Sequence, residues 1–195
     1  MSLFQDDTNA FHDPDDQYGL SEVGRAFVAG LLRHASEITA VTNQLVNSYK
    51  RLVPGFEAPN TISWARNNRS ALVRIPRHKA GKHVSTRVEY RAPDPACNPY
   101  LAFALILAAG MKGVRERYEL PPEAPDNLHR LSDAERSDLG IGTLPRSLAQ
   151  ALEDMESSQL VQDTLGPHIF EWFVRNKYSE WADYKAHVSQ FELDR

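Results

Sequence analysis

The stretch Thr61-Ile62-Ser63-Trp64-Ala65-Arg66-Asn67-Asn68-Arg69-Ser70-Ala71-Leu72-Val73-Arg74-Ile75 decides the fold class. Its β-branched and aromatic residues predict strands over Thr61 to Arg66 and Arg69 to Ile75. The pair is expected to be a hairpin turning around Asn67-Asn68, because asparagine tolerates the left-handed backbone of tight turns. Ala71, Val73 and Ile75 alternate with Ser70, Leu72 and Arg74, so both faces of the second strand are expected to be at least partly covered.

Downstream, Arg87-Val88-Glu89-Tyr90-Arg91 reads as a further strand. Alternation sends Arg87, Glu89 and Arg91 to one side and Val88, Tyr90 and Ala92 to the other. From Ala58 to Pro93, Glu89 is the only acid, whereas Arg66, Arg69, Arg74, Arg77, Lys79, Lys82, Arg87 and Arg91 are cationic. A carboxylate between guanidiniums suits a site for phosphates and a metal ion. It suits a solvated ionic ladder equally well, since structural ion-pair networks share that look. Pattern alone leaves both readings open. Between the strands, Pro76 to Ser85 is a basic loop, and His78 and His83 lack acidic partners within it.

Upstream, Pro54, Gly55 and Pro59 preclude a regular element over residues 46–60, yet the segment carries Tyr49, Leu52, Val53 and Phe56. An apolar loop with charges at Lys50, Arg51 and Glu57 is more often functional than a linker. Glu57 could act as a gate or base, or be a plain surface acid. Before it, Ser21 reads as an N-cap with Leu20 as a hydrophobic staple. Val23, Phe27, Leu31, Ile38, Val41 and Leu45 then predict one long helix over roughly 21–45. His34 lies close to that stripe and reads as structural. Residues 5–19 are expected to be an irregular, aspartate-rich loop, and His12 within it fits no metal motif.

Beyond the strands, Asn98-Pro99 is a helix start. Tyr100, Phe103, Leu107, Met111 and Val114 continue one face as far as about Tyr118, while Ala102, Ala104, Ala108, Ala109 and Gly110 keep the rest slim, which permits close packing against another element and reads as core architecture. Cys97 reads as a small buried residue. Residues 119–144 form a Pro- and Asp-rich connection with a helical patch around Asp133–Leu139. Leu148, Leu152 and Met155 mark another helix, and Leu160, Val161 and Leu165 a short one ending at Gly166-Pro167. A final helix runs from His168 to His187, with Phe170, Phe173, Trp181 and Tyr184 packed along one side. Strands in the middle and helices around them make an α+β chain.

The 195 residues carry a net charge of −4, so the basic segment is local, which argues against a nucleic-acid binder working through counterion release. One cysteine excludes an internal disulfide and a cysteine-based zinc site. No apolar run approaches a membrane span, and no signal-peptide pattern opens the chain, so a cytoplasmic location without membrane partners is expected. There is no Gly-rich phosphate loop, Rossmann fingerprint or zinc-protease helix. Phosphate, if bound, is held by arginines on strands. Both ends read as cut, and a fragment of a longer chain is expected.

Three blocks carry a family resemblance. Asn47-Ser-Tyr-Lys-Arg-Leu-Val-Pro-Gly-Phe-Glu-Ala-Pro59 resembles the glutamate-binding flap segment of glutamine synthetases. Trp64 to Pro76 resembles the ATP-phosphate segment that follows it, and Arg87 to Phe103 the metal-binding strand and the next helix. Order and spacing match over Ser2 to Arg195, within the C-terminal half of the bacterial type I catalytic domain. The resemblance implies that 1–195 is that C-terminal portion, with the N-terminal β-grasp domain and the first part of the catalytic domain absent. It implies antiparallel strands of an incomplete catalytic barrel packed with several helices.

The family joins glutamate and ammonia through a γ-glutamyl phosphate, using ATP and Mg2+ or Mn2+. By resemblance, Arg51 and Arg91 bind glutamate, and Glu57 closes over the site and helps draw a proton from ammonium. Arg69 lies between glutamate and the transferring phosphate, Arg74 and Arg87 contact ATP phosphates, Ser2 lies near the nucleotide, and Glu89 holds the metal. Lys79 and Lys82 are both possible nucleotide contacts in a loop longer than usual. His129 stands where the family's adenylylated tyrosine would fall, so that control is not expected. The family's His-x-His motif and earlier glutamates are missing, so the chain is expected to be inactive alone; a full-length parent is expected to be a homo-oligomeric dodecamer. Two alternatives stand beside the glutamate–ammonia ligase: a γ-glutamylpolyamine synthetase or related glutamate–amine ligase, and a catalytically inactive relative, against which the intact arginines and Glu89 argue.

Overall fold

The computed structural model describes residues 1–53, 58–68, 70–76, 83–125, 128 and 131–195. The chain opens with a small antiparallel pair, β1 (Phe4–Gln5) and β2 (Thr8–Asn9), inside the stretch expected to be irregular. Asp6 makes the turn, with φ at 52°, a backbone state that aspartate adopts more readily than most residues.

Ser21 then caps α1 (Glu22–Arg33), its hydroxyl accepting from the Gly24 amide at 3.1 Å. The single helix expected over 21–45 is two, because the backbone leaves helical geometry at His34 and resumes as α2 (Ala35–Thr42). The apolar stripe continues across the break, with Leu31, Ile38 and Val41 all buried, so periodicity could not reveal it. What holds the joint is polar: His34 Nδ1 lies 2.8 Å from Glu37 Oε1, and the Ser158 hydroxyl donates to Glu37 Oε2. A 3-10 turn, Val46–Lys50, follows.

The central sheet has the order β3-β4-β5, made of β3 (Thr61–Ala65), β4 (Ala71–Arg74) and β5 (Glu89–Tyr90). The expected hairpin is overturned: β3 and β4 run parallel, with Thr61 opposite Ala71 and Ala65 opposite Arg74. The reason is competition for β3 and for the chain beyond it. Ile62 donates to Gly142 O at 2.8 Å and Leu144 to Asn60 O at 2.9 Å, so residues 142–144 occupy one edge of β3. Past the strand, Arg66 N donates to Glu123 Oε1 at 2.8 Å and Asn68 Nδ2 to Pro125 O at 3.0 Å. Held by the 121–125 connection, the chain loops away and returns alongside instead of folding back. Of the expected antiparallel strands, only β4 and β5 pair that way, with Arg74 opposite Glu89. Ala71, Leu72 and Val73 are all fully buried, so both faces of β4 are covered as its alternation implied.

Helix α3 (Pro99–Glu116) starts at Asn98, whose side chain accepts from Tyr100 N at 3.0 Å. Its slim side makes the close packing that its small residues permit, and of the five large apolar residues in the Tyr100–Val114 stripe only Met111 and Val114 pack against the core. Tyr100, Phe103 and Leu107 are exposed, whereas Ala102, Leu105, Ile106, Ala109, Gly110 and Gly113 are buried. This slim face meets α1 at backbone distance: a Cβ on Gly113 would lie 2.2 Å from Ala26 O, and one on Gly110 2.2 Å from the Phe27 ring. Cys97 is half-buried rather than buried; burial first, then Asp94, pushes its thiol up.

The remainder is helical: α4 (Asp133–Asp138), α5 (Leu148–Glu156), α6 (Gln159–Ala186) and α7 (Gln190–Leu193). The break expected at Gly166-Pro167 is present inside α6, where Gly166 takes φ 70° and ψ 162°, a conformation only glycine adopts freely. After it, Phe170, Phe173 and Trp181 pack against the core, whereas Tyr184 is largely exposed.

Candidate active site

The antiparallel register of β4 and β5 sets Arg74 beside Glu89. Arg74 Nε donates to Glu89 Oε2 at 2.8 Å and its Nη2 reaches the same oxygen at 2.6 Å. Arg87 Nη2 lies 3.6 Å from the other oxygen, Oε1. The carboxylate therefore sits between two guanidiniums, as its sequence surroundings suggest, but the closer one comes from the neighbouring strand. Arg91 points its Nη1 to Ala71 O at 3.3 Å. Side-chain exposures of 29% for Glu89, 33% for Arg74 and 47% for Arg87 leave all three open to solvent on one side. Ion pairs this exposed contribute about 0–1 kcal/mol each, so fold stability alone does not account for placing one carboxylate between two guanidiniums here.

The second arginine pair lies where the segment after α2 meets the end of β5. Arg51 Nη2 donates to Asn43 Oδ1 at 3.0 Å and also to Ala92 O, the residue after Arg91. The Arg91 amide in turn donates to Leu72 O at 2.9 Å. Arg51 Nε is buried and has no hydrogen-bond acceptor among the described residues. A buried guanidinium N–H without an acceptor is costly, and an anionic ligand would satisfy it. Ser2 is exposed, next to Met1, which exchanges backbone hydrogen bonds with Val88 at 2.7 and 2.8 Å. Glu57, Arg69, Lys79, Lys82 and His129 lie outside the described residues.

Among the described residues no group of three or more His, Cys, Asp or Glu side chains could hold a metal ion. Glu89 nevertheless fits as a single ligand. Its Oε2 is taken by Arg74, but among the described residues Oε1 has only Arg87 at 3.6 Å, beyond hydrogen-bonding range, and keeps lone pairs available. Mg2+ commonly takes one or two carboxylates and completes its shell with water and substrate phosphates. Two arginines beside one carboxylate form a place for a phosphate chain and its counter-ion.

A family model for the catalytic domain of glutamine synthetase matches residues 1–195. The chain belongs to this family. A glutamine synthetase of Mycolicibacterium smegmatis is 58% identical over 193 residues, covering 99% of this chain and 43% of that protein. One of Thermotoga maritima is 50% identical over 195 residues, covering 100% of this chain and 44% of that protein. The chain thus spans less than half the length of these relatives. A solved structure titled "GmaS/ADP complex-Conformation 1" superposes with a TM-score of 0.77 at 36% identity, covering 94% of this chain and 41% of that one. Its ligand-free counterpart, "Apo GmaS without ligand", gives 0.76 at 37%, covering 94% of this chain and 40% of that one. Within this glutamine synthetase segment, sequence reasoning missed Asn43. It is fully buried, follows the last turn of α2, and fixes Arg51 while its own Nδ2 donates to Thr42 Oγ1 at 3.1 Å. A polar residue directly after a buried helical stripe was the available signal.

Proposed function

We propose that this chain carries the phosphate-binding part of an ATP-dependent glutamate–ammonia ligase. The observation that supports it most is Glu89, held by Arg74 and flanked by Arg87, with one oxygen left for a cation. On this reading Arg74 and Arg87 bind ATP phosphates, with Ser2 near the nucleotide, and Glu89 gives one ligand to Mg2+ or Mn2+. Arg51 and Arg91 bind glutamate, and the buried Arg51 Nε acquires its acceptor from the substrate carboxylate. The divalent ion, when bound, neutralises charge on the phosphates.

The chemistry runs in two balanced steps. A γ-carboxylate oxygen of glutamate attacks the γ-phosphorus, and the bond to the ADP oxygen breaks. Ammonia then attacks the acyl carbon, phosphate leaves, and the nitrogen loses a proton. Opposing like charges make the first step slow without cations placed around it, which is the task assigned to Arg69, Arg74 and Arg87. Glu57 closes over the acyl phosphate, excludes water and takes the proton from ammonium. As the C-terminal portion of such a catalytic domain, the chain would work in the cytoplasm within a homo-oligomer, with dodecamers the expected full-length form, and would be inactive without the segment that completes the metal sites. Identities of 58% and 50% to proteins named glutamine synthetase support ammonium as the acceptor.

Binding measurements test the reading. Glu89→Ala is expected to weaken ATP and Mg2+ binding together by at least tenfold, read by titration calorimetry, with the unfolding midpoint nearly unchanged. Unaltered affinities would make Glu89 a surface ion-pair member. In a chain completed to its relatives' length, phosphate release with ammonium but not putrescine or spermidine is expected; the reverse preference selects the amine-ligase alternative.

A further inference from the structure

The acidic opening segment, which has no task in the site described above, makes a bracket around the start of the Glu89 strand. Asn9 is 6% exposed, and its Nδ2 faces three backbone carbonyls: Thr86 O at 2.8 Å, Val84 O at 3.2 Å and His83 O at 3.4 Å. Its Oδ1 accepts from the Phe11 amide at 3.0 Å, which locks the amide orientation. Beside it, His12 Nδ1 lies 3.1 Å from the Thr86 hydroxyl, and the His12 and His83 rings stack with centroids 4.3 Å apart. Thr86 itself is 2% exposed, and its amide donates to His83 O at 3.1 Å. One residue on stands Arg87; two further on, Val88 is tied to Met1 on the same side.

We propose that Asn9 is a positioning residue for the phosphate-facing strand, setting where Arg87 and Glu89 stand relative to Arg74. The proposal rests on the ligase reading only in taking a nucleoside triphosphate as the ligand of that strand. The physical argument is one of accounting. His83–Ser85 is a single 3-10 turn whose one backbone bond, Thr86 N to His83 O, leaves the Val84 and Thr86 carbonyls to other donors, and the Thr86 carbonyl, on a residue only 2% exposed, is costly to leave without one. One side-chain amide supplies donors for a turn that would otherwise have several conformations. Sheet pairing begins only at Glu89, so among the described residues the backbone at Arg87 is set by this bracket and by the Met1–Val88 pair. A guanidinium displaced by about 1 Å loses much of its worth at a preorganised anion site.

The test uses two substitutions and two measurements. Asn9→Ala removes every side-chain hydrogen bond, whereas Asn9→Asp keeps the acceptor for Phe11 and loses the donors. Hydrogen exchange at the Thr86, Val88 and Arg91 amides is expected to accelerate at least tenfold in both variants, with amides of α3 and α5 unchanged. ATP affinity, read by titration calorimetry, is expected to fall three- to tenfold in both. Val161→Ala, matched in thermal stability but remote from the strand, is expected to retain wild-type affinity. Wild-type exchange at 86–91 in both variants, or an affinity loss equal to that of Val161→Ala, overturns the positioning role. Should the wild-type chain bind no ATP while exchange still accelerates, the bracket stands and the nucleotide reading falls.

Discussion

Where α1 meets α3, backbone lies against backbone; where β4 meets β5, half-exposed charged side chains face solvent across one open side. The first contact has no room to change, since Cβ atoms at Gly30, Gly110 and Gly113 would all fall within 2.3 Å of atoms across it. The second is held by groups each worth little to the fold. The helical layer therefore supplies stability with almost no chemistry, and the strand edge supplies chemistry at almost no cost in stability. Substitutions in the two regions are expected to separate cleanly.

The largest effect belongs to the helical contact. Gly113→Val is expected to remove about 3 kcal/mol or more of stability, because the atoms met are Ala26 O and Gly30 Cα, both backbone, and neither helix can yield without losing its packing. Urea unfolding reads this as a lowered midpoint. An unchanged midpoint would mean that the helices part easily, and the contrast with the strand edge would fail.

The two regions also differ in how much of them could be read from residue order. Alternation around Glu89 announced a carboxylate among guanidiniums, because period-2 geometry is local to one strand. Arg74 as the nearer partner was not legible as such, since it depends on a register set by β4 and β5 together. The direction of β3 against β4 was misread for a related reason: residues 142–144, far along the chain, occupy the β3 edge. On α3 two stripes satisfy the helical period. Counting large apolar residues selects Tyr100, Phe103 and Leu107, whereas close approach selects Ala102, Ala109, Gly110 and Gly113. Only the partner helix decides between them, and α1 presents Gly30 at the crossing.

An intermediate effect is expected at the joint between α1 and α2, which combines burial with charge. Burial alone would raise the Glu37 carboxyl, but hydrogen bonds from His34 and Ser158, aided by the charge of His34, hold it below the usual carboxylate range. A depressed folded pKa gives stability that is present above the unfolded value, about 4.3 for glutamate, and lost as pH falls through the folded one. Glu37→Gln is expected to cost about 1–3 kcal/mol at neutral pH, the usual worth of hydrogen bonds to a charged group. The gap between variant and parent should close as pH drops below the ordinary glutamate range. A gap independent of pH would show that packing, not the charge, secures the joint.

The smallest stability effect is expected where the functional effect is largest. Arg74→Ala removes both contacts to Glu89 Oε2, yet the side chains are 33% and 29% exposed, and water can replace what is lost. A change within about 1 kcal/mol follows from the weakness of solvent-screened pairs. Binding responds differently, because the phosphate chain of a nucleotide would meet one guanidinium fewer, and the freed Glu89 oxygen would face it unneutralised. Arg74→Ala is therefore expected to reduce ATP affinity at least tenfold while leaving the urea midpoint almost unmoved. Salt separates the causes further: rising ionic strength should weaken ATP binding in the parent more steeply than in the variant, since one cation–phosphate contact is gone. If stability instead fell by several kcal/mol with ATP affinity preserved, β4 and β5 would depend on this ion pair for their register. The strand edge would then be built like the helical contact, as architecture.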